Sequence, residues 1–139
     1  MPTSHTLTVR RPIGEVFQLL SAPEHLAAWD GAVRWARRRA GGPLGVGATF
    51  AQAIALDGRT ELAAGEVVAY EPPHELGWRS DLGSVRTITR ITLVAVGMGT
   101  RITLRRHQSK DGVADREDGA LLEVALRRLR ELLEREGPC

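Results

Sequence analysis

Residues 66 to 78, Glu-Val-Val-Ala-Tyr-Glu-Pro-Pro-His-Glu-Leu-Gly-Trp, set two adjacent prolines between two strand-like runs. Proline lacks a backbone donor and holds φ near about −65°, so Pro72 and Pro73 cannot lie inside a central strand and must mark a connection. Val67, Val68 and Tyr70 before them, and Leu76 and Trp78 after them, suit a pleated, half-buried surface. The segment reads as strand, sharp corner, strand.

The pattern on either side extends this unit. Residues 5 to 10 alternate, with Leu7 and Val9 on one face, as a half-buried first strand does. Pro12 opens a helix carrying Val16, Phe17, Leu19 and Leu20, and a second short helix runs from Pro23 to Trp29, ended by Asp30 and Gly31. From there to about residue 107 all is strand and turn. Val33 and Trp35 alternate with Arg34 and Ala36, and after the loop at 40–47, Phe50, Gln52, Ile54 and Leu56 share a face of the next strand. Asp57-Gly58 signals a two-residue hairpin, and 59–71 returns. Beyond the proline corner come a strand with Leu76, Trp78 and Ser80, a turn at 81–83, and a strand over 84–95 with Val85, Thr87, Thr89, Ile91 and Leu93 on one side. Gly97-Met98-Gly99 turns this into a last strand over 100–107.

The period then changes from two to that of a helix. Leu122, Ala125, Leu126, Leu129, Leu132 and Leu133 recur at spacings of three, four and seven, which predicts an amphipathic helix starting near 115–118 and stopping before Gly137 and Pro138. Its pairs Glu123/Arg127 and Glu131/Arg135 are each worth only ~0.3 kcal/mol. Each fully buried leucine contributes roughly 1.5–3 kcal/mol, so the leucine face decides its stability. The order is strand, two short helices, six strands and a long helix, an α+β chain with seven strands.

A length of 139 residues suits one domain spanning 1–139, large enough for its own core. The single cysteine, Cys139, excludes an intrachain disulfide and a cysteine-built metal site, and a cytoplasmic setting is expected. No apolar run approaches the roughly 18 residues that cross a bilayer, so no membrane span is expected. The formal charge of +2 is a weak argument for nucleic acid, and Arg37, Arg38 and Arg39 alternate faces without forming a stripe, so no nucleic-acid partner is expected.

Five segments in order carry a family resemblance: Pro12 to Leu20; Pro23-Glu24-His25-Leu26-Ala27-Ala28-Trp29-Asp30; Gly42 to Phe50; Glu66 to Pro73; and Gly97 to Thr103. With them the chain resembles the START-like superfamily of polyketide cyclases, aromatases and birch-pollen-allergen lipid binders. The resemblance implies a helix-grip fold, a curved antiparallel sheet wrapped around the C-terminal helix, with a cavity between them whose mouth the two short helices close. It also implies a small hydrophobic ligand such as a lipid, a quinone or an aromatic polyketide, no cofactor, and a monomer or homodimer.

Alternation assigns the cavity wall. Phe50, Gln52 and Ile54, then Leu76, Trp78 and Ser80, then Thr87, Thr89 and Ile91 should face Leu122, Ala125, Leu126 and Leu129. Gln52, Ser80, Thr87 and Thr89 are sparse polar groups of the kind that orient a ligand's oxygen atoms, or that bond to one another. Trp29 and Trp35, with Val33, are candidates for the mouth, where a broad ring suits a planar ligand. No His, Asp and Glu spacing suggests a metal. His5, His25, His74 and His107 read as surface residues, and one of Glu61 and Glu66 could point inward. A non-catalytic or weakly catalytic binder is the leading expectation. A polyketide cyclase or dehydrase would need an inward titratable group, and a protein-interaction or ribosome-associated module would need an exposed apolar patch.

Overall fold

The structure, a computed structural model, describes residues 3–30, 33–39, 44–56, 58–82, 85–110 and 119–135. Seven strands form one antiparallel sheet: β1 (Thr3–Val9), β2 (Val33–Arg38), β3 (Thr49–Leu56), β4 (Arg59–Glu71), β5 (Glu75–Leu82), β6 (Val85–Val96) and β7 (Gly99–Lys110). Helix α1 (Ile13–Ser21), a 3-10 turn (Pro23–His25) and helix α2 (Leu26–Trp29) lie between β1 and β2, and helix α3 (Gly119–Arg135) follows β7. Across the sheet the order is β1-β7-β6-β5-β4-β3-β2, a meander from β2 to β7 onto whose last strand β1 is added. The architecture is the curved-sheet, helix-grip arrangement expected from the sequence.

Local chemistry explains the turns. Pro12 caps α1 in an extended conformation, its carbonyl accepting from Val16 N–H at 3.1 Å, and Glu15 in the first turn complements the helix dipole. The second short helix divides: Pro23 opens a 3-10 turn, and α2 is one turn closed by Asp30 N–H donating to Leu26 O at 2.8 Å. The Pro72-Pro73 peptide bond is cis, and His74 N–H donates to Glu71 O at 2.7 Å, so Glu71 faces Glu75 across the corner. Gly97, with φ of +60°, leads the two-residue turn between β6 and β7, where primed turns demand a positive φ. β7 runs on to Lys110, past the predicted end at 107. The start of the last helix near 115–118, the residues of its stop signal and Cys139 lie outside the described residues.

One face of the sheet carries the core. Val9, Ile91, Leu93, Ile102 and Leu104 are buried with Ala125, Leu126, Leu129 and Leu133 of α3, which packs on β1 and α2. The opposite face carries a ladder of exposed ion pairs. Arg79 donates to Glu66 at 2.9 Å and to Asp81 at 3.2 Å, Arg86 to Asp81 at 2.8 Å, and Arg90 to Glu75 at 2.8 Å. The Arg86 hydrogen bond holds the Asp81 carboxyl below its ordinary 3.8. Exposed pairs of this kind add little stability.

The alternation in β2 is corrected by the structure. A bulge between Val33 and Trp35 shifts the register, so Val33 pairs with Ile54 but Trp35 pairs with Ala53 on the other face. Val33 and Ala36 are therefore buried, whereas Trp35 is 37% exposed and stacks under the Arg37 guanidinium, 4.8 Å from the ring centre. An inserted residue reverses which side chains face in.

Candidate functional site

β3, β5, β6 and β7 keep strict alternation, and β4 does so up to a second bulge between Val67 and Ala69, so their inward side chains collect in register. Ala36 pairs with Gln52, Gln52 with Ala63, Phe50 with Gly65, Gly65 with Ser80 and Ser80 with Thr87. Val67 pairs with Trp78, Trp78 with Thr89, and Thr89 with Arg106. Phe50, Gln52, Leu76, Trp78, Ser80 and Thr89 are buried, Ile54 and Thr87 half-buried. Leu126 is buried on the facing helix, while the Leu122 side chain lies outside the described residues. Trp29 is fully buried, at 0% exposure, and meets Trp78 edge-on at 6.4 Å and 72°. Apart from Trp35 and Leu122, the predicted wall is brought together.

Polar groups cross this apolar wall in two places. Gln52 Nε2 donates to Ser80 Oγ. Arg106 Nε donates to Thr89 Oγ1 at 3.2 Å, and its Nη2 donates to Asp30 Oδ2 at 2.8 Å. The side chains of Arg106 and Asp30 are only 15% and 7% exposed, so this ion pair is largely desolvated and ties the end of α2 to β7. Trp29 Nε1, on the residue before Asp30, is buried and has no hydrogen-bond acceptor among the described residues, and the same holds for Arg11 Nε and Nη1. A buried donor left unmade costs about 1–3 kcal/mol.

Asp30 and Arg106 were not expected at the site. Asp30 follows Trp29 and resembles a helix stop, and arginine on a strand resembles solvent-facing charge; counting by twos from Ile102 and Leu104 would have reached Arg106. The carboxylate question resolves by register: Glu61 pairs with Ile54 on the inner face, while Glu66 lies on the outer face and binds Arg79. His25, His74 and His107 are exposed, whereas His5 is half-buried and pairs with Leu104, on the inner face at the β1 edge. Among the described residues no group of three His, Cys, Asp or Glu side chains could hold a metal.

A surface pocket lies away from this wall. An open pocket of about 300 Å³ is lined by Arg11, Glu15, Gln18, Leu19, His25 and Leu133, between α1, the 3-10 turn and the end of α3. None of the predicted site residues lines it. His25 Nδ1 is 3.0 Å from Leu19 O and Arg11 holds Glu15 at 3.1 Å, so its polar lining is partly bonded to itself.

Comparison with known proteins agrees with this fold. A family model described as polyketide cyclase / dehydrase and lipid transport matches residues 3–135. No curated protein matches the sequence. A START superfamily protein from Mycobacterium smegmatis superposes with a TM-score of 0.78 at 13% identity, over 98% of this chain and 99% of that one. The major latex-like protein 151 from Panax ginseng gives 0.77 at 14% identity, over 99% and 98%. A protein from Chromobacterium violaceum gives 0.75 at 16% identity, over 96% of each chain. At these identities the likeness is one of fold.

Proposed function

The chain belongs to the polyketide cyclase / dehydrase and lipid transport family, and from that premise we propose that it binds a small, mainly apolar molecule bearing oxygen acceptors between the inner face of the sheet and α3. The observations that carry this reading are the buried Trp29 Nε1, which has no acceptor among the described residues, and the buried Asp30, Arg106 and Thr89 chain that begins at the next residue. Binding sites of this kind are apolar with a few convergent polar groups, and the inner face has that composition. Trp29 and Trp78 supply broad ring surface, and Gln52, Ser80 and Thr87 supply further polar contacts along the wall.

The test is native mass spectrometry of protein purified from its host without organic solvent, followed by titration with the extracted molecule or, failing that, with fluorescent fatty-acid and naphthoquinone probes. Trp78→Ala is expected to weaken binding about tenfold or more, the equivalent of part of one buried aromatic contact, and Trp78→Phe is expected to recover most of it. Absence of binding by the folded wild-type protein, or equal binding by all three, would end this reading.

A second reading rests on Glu61. Its place on the inner face puts a carboxylate on the wall, as a cyclase or dehydrase using acid–base chemistry requires. Under that reading Glu61→Gln abolishes turnover of a bound polyketide-like substrate while sparing its binding. Unchanged turnover would eliminate Glu61 as the acid or base.

A further inference from the structure

The tip of the β6–β7 hairpin is built unlike an ordinary surface turn. Val94-Ala95-Val96-Gly97-Met98-Gly99 contains no polar side chain, yet Val94, Val96 and Met98 all face solvent, Met98 at 94% exposure. Turn positions normally go to Asn, Asp, Ser or Gly, and a cluster of exposed apolar side chains at a protruding corner marks a contact surface.

On the outer face the charge beside the tip is basic, and the nearby Glu15 is held by Arg11. Arg101 pairs with Val94 on one side and Thr8 on the other, and Arg105 follows on the same outer face, opposite Arg90 and Ser4. Arg10 also lies beside the tip: a Cβ on Gly99 would lie 3.6 Å from the Arg10 Cα. Among the described residues the outer faces of β1, β7 and β6 carry no carboxylate, only Arg, Thr, Ser, His and apolar side chains. The carboxylates begin on β5, where Glu75 and Asp81 are engaged by Arg90, Arg79 and Arg86. Among the described residues Arg10, Arg101 and Arg105 therefore have no ion-pair partner, and they are exposed and flanked by hydroxyls.

We propose that this corner docks the protein on an anionic lipid surface, with Val94, Val96 and Met98 entering the headgroup boundary and Arg10, Arg101 and Arg105 meeting lipid phosphates. An apolar tip with a basic flank is what peripheral attachment requires, because shallow apolar burial and attraction to anionic lipid act together. A polyanion such as RNA would use the arginines but leave the tip in water. The flank also lacks the exposed aromatic side chains on which bases stack. The surface lies outside the sheet, so it stands independently of what the inner face binds.

Co-sedimentation with vesicles tests it on the full chain. The wild-type protein is expected to partition onto phosphatidylglycerol/phosphatidylcholine vesicles at least about tenfold better than onto phosphatidylcholine alone, and to be released as salt is raised. Met98→Asp should reduce that partitioning about tenfold, and the pair Arg10→Glu and Arg101→Glu should remove the preference for anionic lipid. These side chains are exposed and unbonded, so thermal unfolding should be unchanged and reports that each variant is folded. Equal wild-type partitioning onto both vesicles would overturn the proposal. So would wild-type behaviour of the folded variants, or arginine-dependent binding of single-stranded RNA with no vesicle binding. None of these results depends on a ligand in the interior, so a negative outcome here leaves the binding test above untouched.

Discussion

Arg106→Met is expected to lower the free energy of unfolding by about 3–5 kcal/mol, because it strips the partner from a carboxylate held away from water. Asp30 keeps its buried position at the end of α2, and Thr89 loses the donor that its hydroxyl accepts from. Part of the loss reflects the buried carboxylate losing its guanidinium and not the worth of the bond itself. Adding Asp30→Leu should therefore restore most of the stability, since a buried ion pair exchanged for apolar side chains of similar size is often neutral or better. The two variants separate structure from function. If Arg106 holds a ligand oxygen, the double variant is stable in urea denaturation but binds poorly. A double variant that is both stable and fully able to bind would show that the pair serves only to fasten α2 to the sheet.

Phe50 and Gly65 should give the second large effect. They are directly paired across β3 and β4, and a Cβ on Gly65 would clash with the outer edge of the Phe50 ring, which is itself buried. The glycine is a recess for the ring. Gly65→Val should destabilise by about 1–3 kcal/mol through overpacking, and Phe50→Ala by about 3–5 kcal/mol through the lost side chain and the cavity it leaves. Combining them should cost clearly less than the sum, because valine then occupies space the ring vacated. Strict additivity in denaturant titrations of the two single variants and the pair would show that the ring had already moved elsewhere.

Most of the wall was legible because alternation in β3, β5 and β6 is uninterrupted: Phe50 and Gln52, Trp78 and Ser80, Thr87 and Thr89 are each two residues apart and land together. Counting by twos fails wherever a residue is inserted. At β2 the bulge after Val33 sends Trp35 outward and Ala36 inward, and nothing in Val-Arg-Trp-Ala announces it. Glu61 and Glu66, five apart, had to face opposite ways, but which one faced inward depended on pairing with β3, a long-range fact. The Asp30–Arg106 pair was hidden for a related reason. Each residue is ordinary beside its sequence neighbours, and only the packing of α2 over β7 makes them partners.

The arrangement of the sheet edges also bears on how the chain is assembled. From β2 to β7 each strand pairs with its successor, so these strands can zip up by short-range contacts. β1 has no such neighbour: within the sheet its only mate is β7, Thr3 opposite Arg106, and its Thr8 carbonyl accepts from Arg130 of α3. Distant pairings must wait for loop closure. Made before β7, β1 consequently stays unpaired in the sheet until β7 has emerged. Pulse-labelled hydrogen exchange during refolding should find the amides between β4 and β6 protected before those between β1 and β7. Simultaneous protection would instead mean that the two ends meet early.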